Sequence, residues 1–165
     1  MLPPKLILAP IDFSDPSRAG LDVAANMASR LGAEVLLVHV IPAIPDLPKN
    51  VSIFKEGQYD QSLNEKAEEQ LKELADSLAQ KNVKARTQLG NANDVGMELI
   101  RIAESENVDM IIIATHGMTG WRKIAFGSVA QKVVKEAECP VLVLRTKTAT
   151  SASAGRQAAS SSASD

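Results

Sequence analysis

Short aliphatic runs alternate with amphipathic stretches along the first nine-tenths of the chain. Lys5 to Ile11 (KLILAPI), Glu34 to Ile41 (EVLLVHVI) and Asp109 to Ala114 (DMIIIA) are near-continuous apolar segments. Runs of this kind suit parallel strands covered on both faces. Val83 to Leu89 (VKARTQL) predicts a more polar strand. Val141 to Leu144 (VLVL) predicts a last one, with Pro140 placed just before it, where a missing N–H does not interrupt the ladder. Helical patterns fill the gaps. From Asp15 to Leu31, residues Leu21, Ala24, Ala25, Ala28 and Leu31 form an apolar face, with Ser14 or Asp15 as cap, Pro16 near the first turn and Gly32 as the stop. From about Tyr59 to Lys81, Leu63, Ala67, Leu71, Leu74 and Leu78 recur every three or four residues among Glu and Lys. Asn93 is placed to cap a third helix carrying Val95, Leu99, Ile102 and Ala103. A last helix is expected from Gly127 to Ala137, with Val129, Val133 and Val134 apolar.

Strand and helix thus alternate from end to end, with connections long enough for right-handed crossovers. The fold class expected is α/β, an open doubly wound sheet of five parallel strands with helices on both faces. A (β/α)₈ barrel needs about 250 residues, and the chain has 165. An all-helical bundle is a poor fit to the short, regularly spaced β-branched runs. One domain is expected over residues 1–147, and a chain of this size buries roughly 70% of its unfolded surface without staples. The tail Thr148–Asp165 is mostly Ser and Ala and is expected to be disordered. Pro42 to Gln58, with prolines at 42, 45 and 48, reads as an irregular excursion, either a lid or an insertion.

Composition narrows the function. The formal net charge is −2 and no dense basic stripe offsets it, which argues against a dedicated nucleic-acid binder. The one cysteine, Cys139, excludes an internal disulfide framework and a thiolate-rich metal site, and is read as a packing residue. Two histidines, His39 and His116, are too few for a histidine-built metal centre. Nothing approaches the roughly 20 apolar residues of a membrane span. Met1 to Pro10 does not read as a signal peptide, so a cytoplasmic location is expected.

Open parallel sheets bind ligands beyond the strand carboxyl ends, where strand order reverses. Two segments are expected to meet there. One is Pro10-Ile11-Asp12-Phe13-Ser14, leading from the first strand into the first helix. The other is Ala114-Thr115-His116-Gly117, followed by nine residues and then Gly127-Ser128 at the start of the last helix. Gly117 and Gly120 allow close backbone approach. Gly127-Ser128 offers free amides, a hydroxyl and the positive end of a helix dipole, a cradle suited to phosphate. The competing reading is that these glycines serve only turns and packing.

With these residues in place the chain resembles the universal stress protein (UspA-like) family, in its ATP-binding branch. That branch carries glycine, two residues, glycine, nine residues, then glycine followed by serine or threonine. Here the frame falls on Ala114, Gly117, Gly127 and Ser128, so the first glycine is replaced by alanine. Pro10-Ile11-Asp12, Val38-His39-Val40 and the closing Cys139-Pro140-Val141-Leu142-Val143 also match, and the resemblance spans Lys5 to about Arg145. It implies a Rossmann-like, adenine-nucleotide α-hydrolase-like sheet in the order 3-2-1-4-5. It also implies a cofactor-binding set of Pro10, Ile11, Asp12, Val38, His39, Val40, Ala114, His116, Gly117, Gly127, Ser128 and Val129. Within that set Asp12 is implied at the adenine and ribose end, its alternative being a cap or turn residue. Val40 is implied against the adenine. Gly117, Gly127, Ser128 and the amide of Val129 are implied at the phosphates of ATP, which share Mg²⁺. His39 equally suits a structural histidine. Trp121, Arg122 and Lys123 lie inside the glycine frame, with solvated placement the plainer reading of the two cations.

The function expected is an ATP-binding stress or signalling protein whose nucleotide occupancy biases a conformation or a surface for an unidentified protein partner. No GxxxxGK[ST] or kinase signature is present. A slow ATPase or autophosphorylating protein, with Ser128 or Thr115 as acceptor, remains open, as does a dimeric adaptor without nucleotide. A dinucleotide oxidoreductase is disfavoured because the first strand lacks the GxGxxG turn. The short last strand is expected at a sheet edge, where the resemblance implies a homodimer through Val141 to Leu144.

Overall fold

The computed structural model describes residues 3–43, 56–117 and 127–147. The interior of the Pro42–Gln58 excursion, Gly120, Trp121, Arg122, Lys123 and the tail 148–165 lie outside the described residues. Elements alternate as β1 (Leu6–Pro10), α1 (Asp15–Leu31), β2 (Glu34–Pro42), α2 (Glu56–Gln80), β3 (Ala85–Ala92), α3 (Val95–Ser105), β4 (Met110–Gly117), α4 (Ser128–Glu136) and β5 (Val141–Lys147). The strands form one five-stranded sheet in the order β3-β2-β1-β4-β5. Every pairing is parallel. Strand order therefore reverses between β1 and β4, at the centre of the sheet.

Side-chain alternation divides the core between the two faces. Ile7 and Ala9 of β1, with Val35 and Leu37 of β2, pack against α1 and against Leu71 and Leu78 of α2. Leu8, Leu36, Val38 and Ile111 face the other way, against Leu99 and Ile102 of α3 and Val133 of α4. Each such aliphatic side chain contributes about 1.5–3 kcal/mol when fully buried. The halves of the sheet are joined at the start of β4. The Asp109 carboxylate (Oδ2) accepts the amides of Lys5 at 2.8 Å and Leu6 at 2.9 Å. The Asp109 amide in turn donates to the Leu6 carbonyl at 3.0 Å.

Several boundaries differ from the sequence reading. Val83 does not start the third strand. Its amide donates to Leu78 O at 3.0 Å, which ties it to the end of α2, and β3 begins at Ala85 and runs to Ala92. The cap of α3 is Asp94, not Asn93, because the Asp94 carboxylate is the one that reaches the Met97 amide, at 3.1 Å. Ser14, rather than Asp15, caps α1, and Gly32 ends it in the left-handed region with φ 68°. The last strand extends past Leu144 to Lys147 and does lie at a sheet edge. Val134 stands outward on α4, 48% exposed.

Candidate functional site

A cleft of about 360 Å³ opens at the carboxyl ends of β1, β2 and β4, on the α3/α4 side. Alternation sets what faces it. Val38 and Val40 of β2 and Ile113 and Thr115 of β4 line one side, and Val95 and Leu99 of α3 supply an apolar wall opposite. The β1–α1 turn brings in Pro10, Ile11, Asp12 and Ser14, and the first turn of α1 adds Pro16 and Ser17. The start of α4 closes the ring with Gly127, Ser128, Val129 and Ala130.

The turn that carries Asp12 is held tightly. Asp12 Oδ1 accepts the Ser14 amide at 3.0 Å and the Ser14 hydroxyl at 2.5 Å. The Asp12 amide donates to Ser17 Oγ at 3.4 Å, and Ser17 Oγ donates to Ser14 O at 2.9 Å. Burial pushes the Asp12 carboxyl up, but the hydrogen bonds from Ser14 and Ser17 outweigh it and leave the group below its ordinary value. Asp12 is therefore a carboxylate at neutral pH. It acts as a hydrogen-bond acceptor bordering the cleft. Of the sequence alternatives for Asp12, the capping role belongs to Ser14 and the turn role to Asp12 itself.

At the far side of the cleft the helix N-terminus is open. Gly127 is the N-cap of α4 and has no side chain with which to cap it. The first intrahelical bond there runs from Gln131 N to Gly127 O at 2.9 Å, so the amides of Ser128, Val129 and Ala130 have no acceptor in their own helix. With the dipole's positive end behind them they form an anion receptor. Among the described residues, a Cβ added at Gly127 meets no atom within 4 Å. An apolar slot, a hydrogen-bond acceptor at one end and bare amides at the other fit a nucleotide in character. No group of three or more His, Cys, Asp or Glu that could hold a metal ion is present among the described residues.

The structure gathers most of the residues singled out in the sequence, but not all of them. Pro10, Ile11, Asp12, Val38, Val40, Ala114, Gly127, Ser128 and Val129 border the cleft. His39 does not. It follows Leu37 onto the α1 face, where its Nδ1 meets Ile11 O at 2.6 Å and its ring lies 4.7 Å from that of Phe13. The backbone of His116 and Gly117 ends β4 beside Thr146 and Lys147 of β5. Ala114 borders the cleft with its methyl turned toward α1: a Cβ at Gly20 would come within 3.3 Å of it. The alanine in the frame is thus matched by a glycine in the helix behind it.

Val95, Leu99, Ile113, Pro16 and Ser17 line the cleft without having been singled out for it in the sequence, and Thr115, read there only within its segment and as an acceptor, joins them. The signal was present for Thr115, a hydroxyl residue two positions beyond Ile113 on the same strand face. Its Oγ1 donates to Leu144 O of β5 at 3.4 Å. Val95 and Leu99 were legible only as core. A second hollow, of about 260 Å³, lies near the amino ends of the strands and is bordered by Cys139, whose thiol is pushed up by burial.

Comparison with known proteins bears on the family and the fold. The sequence matches the universal stress protein family over residues 4–145. Universal stress protein MJ0531 of Methanocaldococcus jannaschii is 33% identical over 144 residues, which is 86% of this chain and 82% of the relative. Universal stress protein MJ0577 of the same organism is 31% identical over 160 residues, covering 87% of this chain and 96% of its own. The solved structure of MJ0577 superposes with a TM-score of 0.72, covering 90% of this chain and 100% of that one at 28% identity. A universal stress protein of Archaeoglobus fulgidus, solved in complex with dAMP, shares the fold at a TM-score of 0.59 and 21% identity, covering 87% and 98% of the two chains. On sequence, strand order and superposition together, the chain belongs to the universal stress protein family.

Proposed function

We propose that this protein binds ATP in the cleft and acts as a nucleotide-responsive stress or signalling protein. The observation that carries the reading is the pairing of two unlike ends across one apolar slot. The Asp12 carboxylate stands at one end and the amides of Ser128, Val129 and Ala130, uncapped among the described residues, at the other. A carboxylate repels phosphate and accepts from hydroxyls and amines, whereas bare amides do the reverse. A nucleotide therefore has one favourable direction, with ribose and base toward Asp12, Val40 and Val38, and phosphates toward Gly127 and Ser128. Gly117 and His116, at the end of β4, complete the proposed set on the phosphate side, and Mg²⁺ bound by the phosphates would neutralise part of their charge.

The same geometry disfavours phosphoryl transfer as the main role. Asp12 is the one carboxylate bordering the cleft among the described residues. Its lowered pKa makes it a weak base. The Thr115 hydroxyl is engaged with Leu144 O, which makes it a poor acceptor. Nucleotide would then work by occupancy, for a protein partner that reads the state, in the cytoplasm. The β5 edge, with Leu142 36% exposed, is the proposed seam of a homodimer through Val141 to Leu144. Sedimentation that shows only a 17.6 kDa species at micromolar concentration would remove that seam.

The test is a calorimetric titration of nucleotide-stripped protein with Mg-ATP. Saturable binding near one ATP per chain is expected. No heat at several temperatures, with equilibrium dialysis agreeing, would sink the reading in favour of a dimeric adaptor without nucleotide.

A further inference from the structure

We infer that His39, which lies outside the cleft, is the positioning residue that aims the Asp12 turn into it. The inference deepens the nucleotide reading above and rests on it for its binding readout. Three contacts converge on the turn from the closed face of the sheet. The Ile11 amide donates to Val38 O at 2.8 Å, which continues the β1–β2 ladder one residue past the strand. Beyond that point the backbone must leave the sheet, and the Ile11 carbonyl would lose its strand partner there. His39 Nδ1 takes that carbonyl at 2.6 Å. A carbonyl only accepts, so Nδ1 carries the proton in this contact. The third contact is the Phe13 ring, which meets the His39 ring at a 44° tilt with centroids 4.7 Å apart.

Phe13 itself explains why such a brace is needed. Its φ is +64°, in the left-handed region that a bulky side chain adopts only under strain. That kink reverses the chain between Asp12 and Ser14, so that Asp12 Oδ1 receives both the amide and the hydroxyl of Ser14. Without the ring contact and the fixed Ile11 carbonyl, a relaxed φ at Phe13 would rotate Asp12 away from the slot. His39 thus acts through Ile11 and Phe13 and touches no ligand.

The experiment compares His39→Leu, which removes the donor, with His39→Asn, whose side-chain amide nitrogen can occupy the Nδ1 position. Adenosine, ATP and inorganic tripolyphosphate are titrated into each full-length protein. His39→Leu is expected to weaken adenosine and ATP by about 10-fold, the worth of one hydrogen bond and the alignment it fixes. Tripolyphosphate, which meets only the Gly127 end, should change less than about twofold. His39→Asn should recover most of the loss. Adenosine binding unchanged in His39→Leu, or parallel losses of all three probes, would overturn the inference. If wild type takes neither adenosine nor ATP, the nucleotide reading fails, and amide hydrogen exchange then decides His39 separately. In His39→Leu the amides of Asp12 and Ser14 should exchange about 10-fold faster, and unchanged exchange there would count against the brace.

Discussion

The tips of β2 and β4 present two different surfaces, and the contrast locates the function. On the α1 side His39 and Ala114 are spent on packing. His39 holds Ile11 and Phe13, and the Ala114 methyl fits against Gly20. On the α3/α4 side Val38, Val40, Ile113 and Thr115 look into a hollow of about 360 Å³. Adjacent residues of the same strands thus do opposite work. The same contrast recurs among the helix starts on the open side. α3 has its amides capped by Asp94, whose carboxylate also pairs with Lys132 of α4, while α4 begins at a glycine that gives it no side-chain cap. A filled face and a capped helix give rigidity. An empty face and an uncapped helix leave groups for a ligand.

The sharpest way to break the contrast is to give α4 the cap that α3 has. Gly127→Asp places a carboxylate on the first amides of α4, and its charge opposes phosphate. ATP affinity is expected to fall about 100-fold by calorimetry, with stability raised by only a few tenths of a kcal/mol. The residue's φ of −57° suits any side chain, so the fold is expected to survive. Next in size is overfilling the closed face. Gly20→Val is expected to cost about 1–3 kcal/mol in urea unfolding. Ala114→Gly in the same chain should return part of that, which a double-mutant cycle would show as coupling.

Smaller effects belong to the capped helix. Asp94→Ala should lower Tm by about 2–4 °C through loss of the cap and leave ATP affinity near wild type. The smallest effect is in pH. Hydrogen bonding from Lys132 and then from the Met97 amide holds Asp94 below its ordinary value, and the bonds from Ser14 and Ser17 do the same for Asp12. A lowered carboxyl contributes stability above its unfolded value of 3.8 and loses it as the pH falls through the folded value. Acid unfolding below about pH 4 should therefore flatten in the Asp94→Ala, Asp12→Asn double variant.

The buried strands were legible because their periodicity is unbroken: Ile7 to Ala9, Val35 to Val38 and Ile111 to Ile113 are aliphatic on both faces. The polar edge strand was blurred. Arg86 stands at the surface of β3, bridging Glu34 at 3.5 Å and Glu106 at 2.7 Å, and Val83, the apolar residue that suggested an early start, serves the end of α2. The glycine frame and the Pro10-Ile11-Asp12 turn pointed to where the cleft lies. Sequence could not say that His39 turns its back on it, because that depends on which face a strand residue takes once α1 is docked. Nor could it separate Val95 and Leu99 as cleft wall from core, since an apolar side chain at a cavity rim has the same pattern as one beneath it.

The hydrogen bonds from Lys5 and Leu6 to Asp109 carry a consequence for synthesis. Ile7 pairs with Val35 on one side and Met110 on the other, so one edge of the central strand has its neighbour early and the other only after two-thirds of the chain is made. Until β4 is made, β3, β2 and β1 can pair with one another only as a three-stranded half-sheet, which would leave the Leu8 face uncovered and the β4 side of β1 unpaired. At about 5–20 residues per second this interval lasts on the order of seconds. A nascent chain stalled within it offers a ready template for strand pairing with a neighbour, and the arrival of Asp109 is what withdraws it.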